Sequence, residues 1–216
     1  QAVAEGRGWV KLVGDWPRRG RGAVANFDQA DLETAVRVAH DGGARVAIHT
    51  MAPEVPSRAV EAGVDSIEHG LFLKPEDVAA LGERGGAWVP TISRMEQIVE
   101  MLGEGSSGGR LIRSGLDNVG ALLAQAPAGV SVMAGTDMAL AGGDVVPEVL
   151  RLVAYGLDPQ RAVAAASETV RSYMDRPAPF SVGAPADAVF FKADPYLEPE
   201  SLREPVHVLR SGRLLA

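Results

Sequence analysis

An α/β fold around a parallel sheet is predicted by three features of the sequence. Five short apolar runs recur at intervals of 20 to 40 residues, and none shows a polar face. Stretches with apolar residues at helical spacing lie between them. Paired or clustered glycines punctuate the joins. Strands buried on both faces and separated by helices are the signature of βα units.

The first strand covers residues 8–14, around Trp9-Val-Lys-Leu-Val13, and Pro17 with a glycine-rich basic loop ends it. Leu32, Ala35, Val36 and Ala39 then mark a helix from Asp28, with Asp28, Asp31 and Glu33 suiting its N-terminus. Gly42-Gly43 stops it, 44–49 reads as a strand, 53–62 as a short helix, and 64–68 as a strand ending at His69-Gly70. The pattern repeats with a helix at 75–81, a strand at 87–91, helices near 94–103 and 110–126, and a strand at 129–134 running into Gly135-Thr-Asp137. Helices follow at about 146–155 and 159–172. Beyond Asp175 the chain becomes rich in Pro, Gly and Ala, then offers three short strands at 187–192, 205–210 and 213–216. We place a boundary near 176, giving a barrel-type unit over 1–175 and a small β appendage over 176–216 that is too short for a core of its own.

The 216 residues hold 28 acidic and 21 basic side chains, a net charge of −7 that argues against a nucleic-acid binder. With 46% apolar residues the chain can build a core. No cysteine is present, which excludes disulfides, a thiolate nucleophile and Cys-ligated metals. No apolar run is long enough to span a membrane, and the segment from Gln1 lacks the pattern of a signal peptide, so a cytoplasmic protein is expected. The glycines after Lys11 fit neither a dinucleotide fingerprint nor a P-loop, and no Gly-x-Ser-x-Gly elbow is present.

The polar residues at strand ends carry the chemistry. His49 and His69 each close a predicted parallel strand, and Asp137 lies just past a third. Ligands gather at the C-terminal ends of such strands, and imidazoles with a carboxylate are the ligand types of a hydrolytic zinc site. A single histidine there is more often a satisfied polar group; the set of three argues for metal. His40 at a helix end and His207 in the appendage read as structural. Lys11 sits in an apolar strand, where an ammonium is costly unless paired or neutral. It is either an edge lysine paired with an acid or a neutral amine able to take up carbon dioxide as a carbamate. Arg18, Arg19 and Arg21 lie in the loop after Lys11 and could hold a substrate carboxylate or simply line a solvated turn.

The runs Ile48-His49, Gly63-Val-Asp-Ser-Ile-Glu-His-Gly70, Val89-Pro-Thr91 and Ala134-Gly-Thr-Asp137 resemble the metal-dependent amidohydrolases, in the branch of imidazolonepropionase-like enzymes and Xaa-Pro dipeptidases. The tail from Val182 to Val189, with Asp194-Pro195 and Ser211-Gly212-Arg213, is similar to the segment where that family's chain returns to a small β-sandwich. The resemblance implies a (β/α)8 TIM barrel, of which this chain carries strands four to eight, with a β-sandwich appendage. It implies metal ligands at Lys11, as a carboxylated lysine bridging two zinc ions, and at His49, His69 and Asp137. Asp137 would also be the catalytic proton shuttle. Glu68, next to a ligand on a strand, is expected to point away into the helix layer.

The family's strand-one His-x-His is absent, and about 175 residues are fewer than the barrel's usual ~250. We therefore expect a missing N-terminal segment, in the same or another chain. The expected activity is hydrolysis of an amide-type C–N bond in a peptide, N-acyl amino acid or cyclic amide. A mononuclear deaminase-like aminohydrolase and a non-catalytic barrel used for binding or assembly are the alternatives. The expected partner is a small molecule, possible homo-oligomers being left open.

Overall fold

The computed structural model describes residues 8–18, 21–138 and 143–215; Arg19 lies outside them. Five parallel strands form the main sheet: β1 (Trp9–Val13), β4 (Arg45–Thr50), β5 (Ser66–His69), β6 (Ala87–Val89) and β7 (Ser131–Val132), hydrogen-bonded in that order. Each strand pairs in parallel with the next strand of the series. The order is that of a barrel wall, and among the described residues the sheet stays open between β1 and β7.

Helices α1 (Gln29–Asp41), α2 (Val55–Glu61), α3 (Pro75–Glu83), α4 (Ile92–Leu102), α5 (Ser107–Leu123) and α6 (Val146–Ala154) follow in turn. The α1 stripe expected from the sequence is present, with Leu32, Val36 and Ala39 buried and the Asp28 carboxylate accepting from Asp31 N at 2.8 Å. Val46, Ile48, Ile67, Trp88 and Val132 face these helices and share one core with them. The other sheet face carries Lys11, Ala47 and Ser66 in one register row, and Val13, His49 and Glu68 in the next row toward the C-terminal ends.

Three local expectations change. The basic stretch after Gly14 is a β-hairpin, β2 (Asp15–Arg18) against β3 (Gly22–Ala25), rather than a loop. Pro17 is tolerated there because a two-stranded ribbon has free edges. The last strand of the sheet shrinks to two residues because Ala134 N turns away to Ala165 O at 3.1 Å, ending the ladder with β6. That same turn divides the predicted helix 159–172 into α7 (Pro159–Ala164) and α8 (Glu168–Tyr173). α8 then sets Val170 and Tyr173 against Ala87, Val89 and Met133. The tail forms a three-stranded antiparallel sheet, β8 (Ala188–Phe190), β9 (His207–Arg210) and β10 (Arg213–Leu215), ordered β10-β9-β8. Among the described residues no helix is long and apolar enough to cross a membrane.

Two contacts fix the ends of strands where polar side chains gather. Gly14 N donates to His49 O at 2.9 Å, and a Cβ at Gly14 would stand 2.7 Å from that carbonyl and 2.8 Å from Val55 Cγ1. Only glycine allows the approach. Glu148, fully buried on α6, caps α4 from outside: Ile92 N donates to Oε1 at 2.7 Å, and Ser93 N and Ser93 Oγ donate to Oε2 at 2.8 and 2.6 Å. Burial pushes the Glu148 carboxyl up, while those three donors favour its charged form.

Two stability predictions follow from these contacts. Glu148→Ala strands buried donors and should cost about 2–4 kcal/mol in denaturant unfolding, with Glu148→Gln milder. Gly14→Ala should cost at least ~2 kcal/mol, because the clash is with backbone that cannot rotate away; an unchanged unfolding midpoint would contradict the close approach.

Candidate metal centre

The C-terminal ends of β1, β4, β5, β6 and β7 bring Lys11, Asp15, His49, Glu68, His69, Thr91 and Asp137 to one end of the sheet. Three successive strands end there in left-handed backbone: His69 (φ 65°), Thr91 (φ 52°), and Asp137 with Met138 (φ 44° and 57°). A β-branched residue such as Thr91 rarely adopts this region, and strain of this kind gathers at functional sites.

The turn at His69 has a direct consequence for side-chain direction. Strict alternation would send His69 to the helix side with Thr50, its register partner. Its positive φ instead returns the ring to the inner face, where Nε2 lies 2.9 Å from Nδ1 of His49. Glu68 therefore stays on the inner face too, contrary to the expectation that it enters the helix layer. Its Oε1 accepts from Ser66 Oγ at 2.8 Å and lies 3.8 Å from Lys11 Nζ. The turn is held from behind: Trp88 Nε1 donates to His69 O at 2.9 Å, and Gly70 (φ 62°) has no room for a Cβ beside Leu73 and that indole nitrogen.

The two imidazoles meet edge to face, with ring centroids 4.6 Å apart. On the far side of His69, Nδ1 lies 2.5 Å from Thr91 Oγ, whose own proton goes to Pro90 O at 2.7 Å. Thr91 Oγ therefore accepts from His69 Nδ1–H, which leaves the Nε2 lone pair facing His49. On the far side of His49, Nε2 is buried without a hydrogen-bond partner, 3.8 Å from the equally unpartnered Asp15 Oδ1. Burial, reinforced by the nearby charges of His49, Lys11 and Arg94, lowers the His69 pKa to about 3. Burial also lowers His49, against the pull of Asp15. Both rings are thus held neutral, the state in which imidazole binds metal.

Lys11 lies on the open edge strand with its side chain about half exposed, paired with Glu68. Its pKa is lowered by burial, which Glu68 and Asp137 oppose. Asp137, half exposed, stands 3.7 Å from Arg94 Nε, and its charge also acts on Lys11 and His49. Arg18 donates to Asn26 Oδ1 at 3.2 Å, and Arg21 sits in the hairpin turn with its N–H on Arg18 O. His40 pairs with Asp65 at 2.9 Å and His207 meets Phe190 edge-on, both away from the cluster.

Among the described residues no three His, Asp or Glu groups converge as a ready metal cage. The histidine pair still fits a divalent ion. Its two facing nitrogens are 2.9 Å apart, close to the ~3.3 Å that two tetrahedral zinc ligands at 2.0–2.1 Å keep. The sequence reading found Lys11, His49, His69 and Asp137 but missed Asp15, Thr91 and Arg94. Asp15 follows a strand-end glycine that permits close approach, a signal visible in the sequence; Thr91 stood only within the Val89-Pro-Thr91 run, with no role attached, and Arg94 gave no signal.

Known proteins resemble this chain in sequence and in fold. The model of the Amidohydrolase family matches residues 21–215. An uncharacterised protein of Mycobacterium tuberculosis is 35% identical over 98% of this chain and 60% of its own length. An Aspergillus niger ochratoxinase is 26% identical over 88% of this chain and 42% of its own. A solved Xaa-Pro dipeptidase with methionine in its active site superposes with TM-score 0.74 at 26% identity, covering 96% of this chain and 53% of that one. The A. niger ochratoxinase structure gives TM-score 0.78 at 22% identity, over 98% and 51%. The chain thus spans about 60% or less of these relatives' length. Its parallel strand order is that of their TIM barrels. On the match over most of its length, the chain belongs to the amidohydrolase family.

Proposed function

We propose that the protein is a cytoplasmic metal-dependent hydrolase that cleaves an amide-type C–N bond in a small molecule carrying a carboxylate. The observation that carries this reading is the pair of neutral imidazoles whose inner nitrogens face one another at adjacent strand ends. Likeness to proteins named as an ochratoxinase and as a Xaa-Pro dipeptidase supports the amide class. His49 and His69 would hold one zinc ion and Asp137 a second, with Lys11 as N6-carboxylysine serving both. A strand-one ligand pair would come from an N-terminal segment outside this chain. In this reading 1–175 supplies the later strands of the barrel and 176–216 part of a β-sandwich.

A bound divalent ion supplies Lewis acidity and eases deprotonation of water. Asp137 accepts the proton of the attacking water and passes it to the departing nitrogen, serving as base and then as acid. Arg18 and Arg21 on the hairpin, and Arg19 in the same run of sequence, offer cationic groups to the substrate carboxylate. Arg94, beside Asp137, is a second cation for that role.

Two outcomes check the reading. The zinc-loaded full-length protein should hydrolyse at least one member of a panel of dipeptides, N-acyl amino acids, lactams and cyclic imides, and a chelator should abolish this until zinc is restored. Release of ammonia from a ring amine alone would move the assignment to a deaminase. Asp137→Asn should lower kcat by roughly 10²–10⁴ with less effect on KM, and unchanged turnover would remove Asp137 from the proton path.

A further inference from the structure

We propose that Arg94 is the specificity-determining residue of the site: it takes the substrate's carboxylate, while Trp16 on the opposite flank takes the substrate's apolar end. The inference rests on the hydrolase reading and narrows it, to one arginine and to one half of the substrate. Arg94 is pinned where it stands. Its N donates to Thr91 O at 3.0 Å, in the first turn of α4, which Glu148 ties down through Ile92 and Ser93. Its Nε lies 3.7 Å from Asp137 Oδ2, longer than a hydrogen bond, and its side chain is about one-third exposed. A guanidinium carries five N–H donors in a planar fork, so turning one nitrogen to Asp137 does not exhaust it. A carboxylate can be gripped by two of those donors side by side.

The hairpin stands on the other flank. Arg18 there gives an Nη to Asn26 Oδ1 at 3.2 Å. Trp16 meets the cluster, its ring centroid 5.7 Å from that of His49. It is 57% exposed, whereas Trp88 is fully buried. The exposure does not come from loose anchorage. Asp15 before it is fully buried, with Oδ2 accepting from Met51 N and Ala52 N at 2.8 and 2.9 Å, and Trp16 itself pairs with Val24 across the hairpin. A water-facing indole held beside a polar cluster is a surface for apolar or aromatic groups. Trp16 follows β1 and Arg94 follows β6, with the two imidazoles on the strands between. An amide lying over the imidazoles therefore has unlike walls at its two ends. Asp137, which serves the departing nitrogen in the hydrolase reading, stands on the Arg94 side. The carboxylate then belongs to the amine half of the substrate, and the acyl half is apolar.

The test needs no turnover. N-benzenesulfonyl-alanine, whose S–N bond resists hydrolysis, and its carboxamide are titrated into full-length protein by calorimetry. Wild type should bind the acid about 10–100-fold more tightly than the carboxamide, and Arg94→Gln should bring the two within about threefold. Arg94→Lys should keep part of the preference, which shows that charge and not folding is being read. Trp16→Ala should weaken acid and carboxamide alike. Equal binding of the two by wild type overturns the proposal. So does a preference that survives in Arg94→Gln or disappears in Arg18→Gln instead. Turnover settles the halves: wild type should hydrolyse N-benzoyl-alanine with higher kcat/KM than N-benzylsuccinamate, which carries its carboxylate on the acyl half, and the reverse order overturns that assignment. A protein that hydrolyses no amide yet shows the Arg94-dependent preference defeats the hydrolase reading and leaves Arg94 as the carboxylate's partner.

Discussion

Pleated strands send alternate side chains to opposite faces, and that rule alone would leave this chain without a pair of facing imidazoles. His49 sits on the inner face of β4, but His69 follows Glu68 directly on β5, and both cannot obey alternation and face inward. The left-handed turn at His69 and Gly70 resolves the conflict. Its cost, of order 1–3 kcal/mol for such backbone, is offset by core contacts on the opposite side of the sheet. Trp88 receives the turned carbonyl on its indole N–H, and the space beside Gly70 is filled by Leu73 and the same indole. Core and site are therefore one construction, in which a buried tryptophan on the helix side sets the direction of a polar ring on the other.

A similar relay runs from α6 to His69. Glu148 satisfies the free N–H groups at the start of α4, which anchors the chain just after Thr91. Thr91, in strained backbone, presents its hydroxyl to the outer nitrogen of His69. Each imidazole thus has an oxygen behind it, one from Thr91 and one from Asp15, and neither oxygen comes from the strand that carries the ring. The electrostatics agree with this division: burial keeps both rings neutral, while Lys11 and Arg94 supply the positive charge around them.

Much of this was legible in the sequence. Apolar runs, glycine punctuation and histidines at equivalent strand ends gave the parallel sheet and the residues of the cluster. What stayed hidden was set by long-range geometry. The hairpin at 15–25 looked like a loop because Pro17 and the glycines dominate its composition, although Trp16 and Val24 pair across it. Glu68 was placed on the wrong face because a single positive φ is invisible to a period-two reading. Thr91 ends the Val89-Pro-Thr91 run but the sequence assigned it no role, Arg94 carried no signal, and only the tertiary fold brings one to His69 and the other to Asp137. Lys11 looked fully enclosed in an apolar strand, yet β1 is the sheet's edge and the amine reaches along it to Glu68.

The strand order also sets the order in which the cluster can come together. Each strand of the main sheet joins the strand that follows it in the series, and His49 and His69 are only 20 residues apart. Closing so short a loop costs little chain entropy, and local pairings of this kind form quickly. During synthesis the segment from Trp9 to Thr91 leaves the ribosome before Asp137, with Lys11, Asp15 and both histidines already able to pair. Asp137 arrives after two further helices, α4 and α5, as the last of these groups to join. The half of the cluster that holds the rings is thus a local product of the chain, and the carboxylate assigned to proton transfer is a late addition to it.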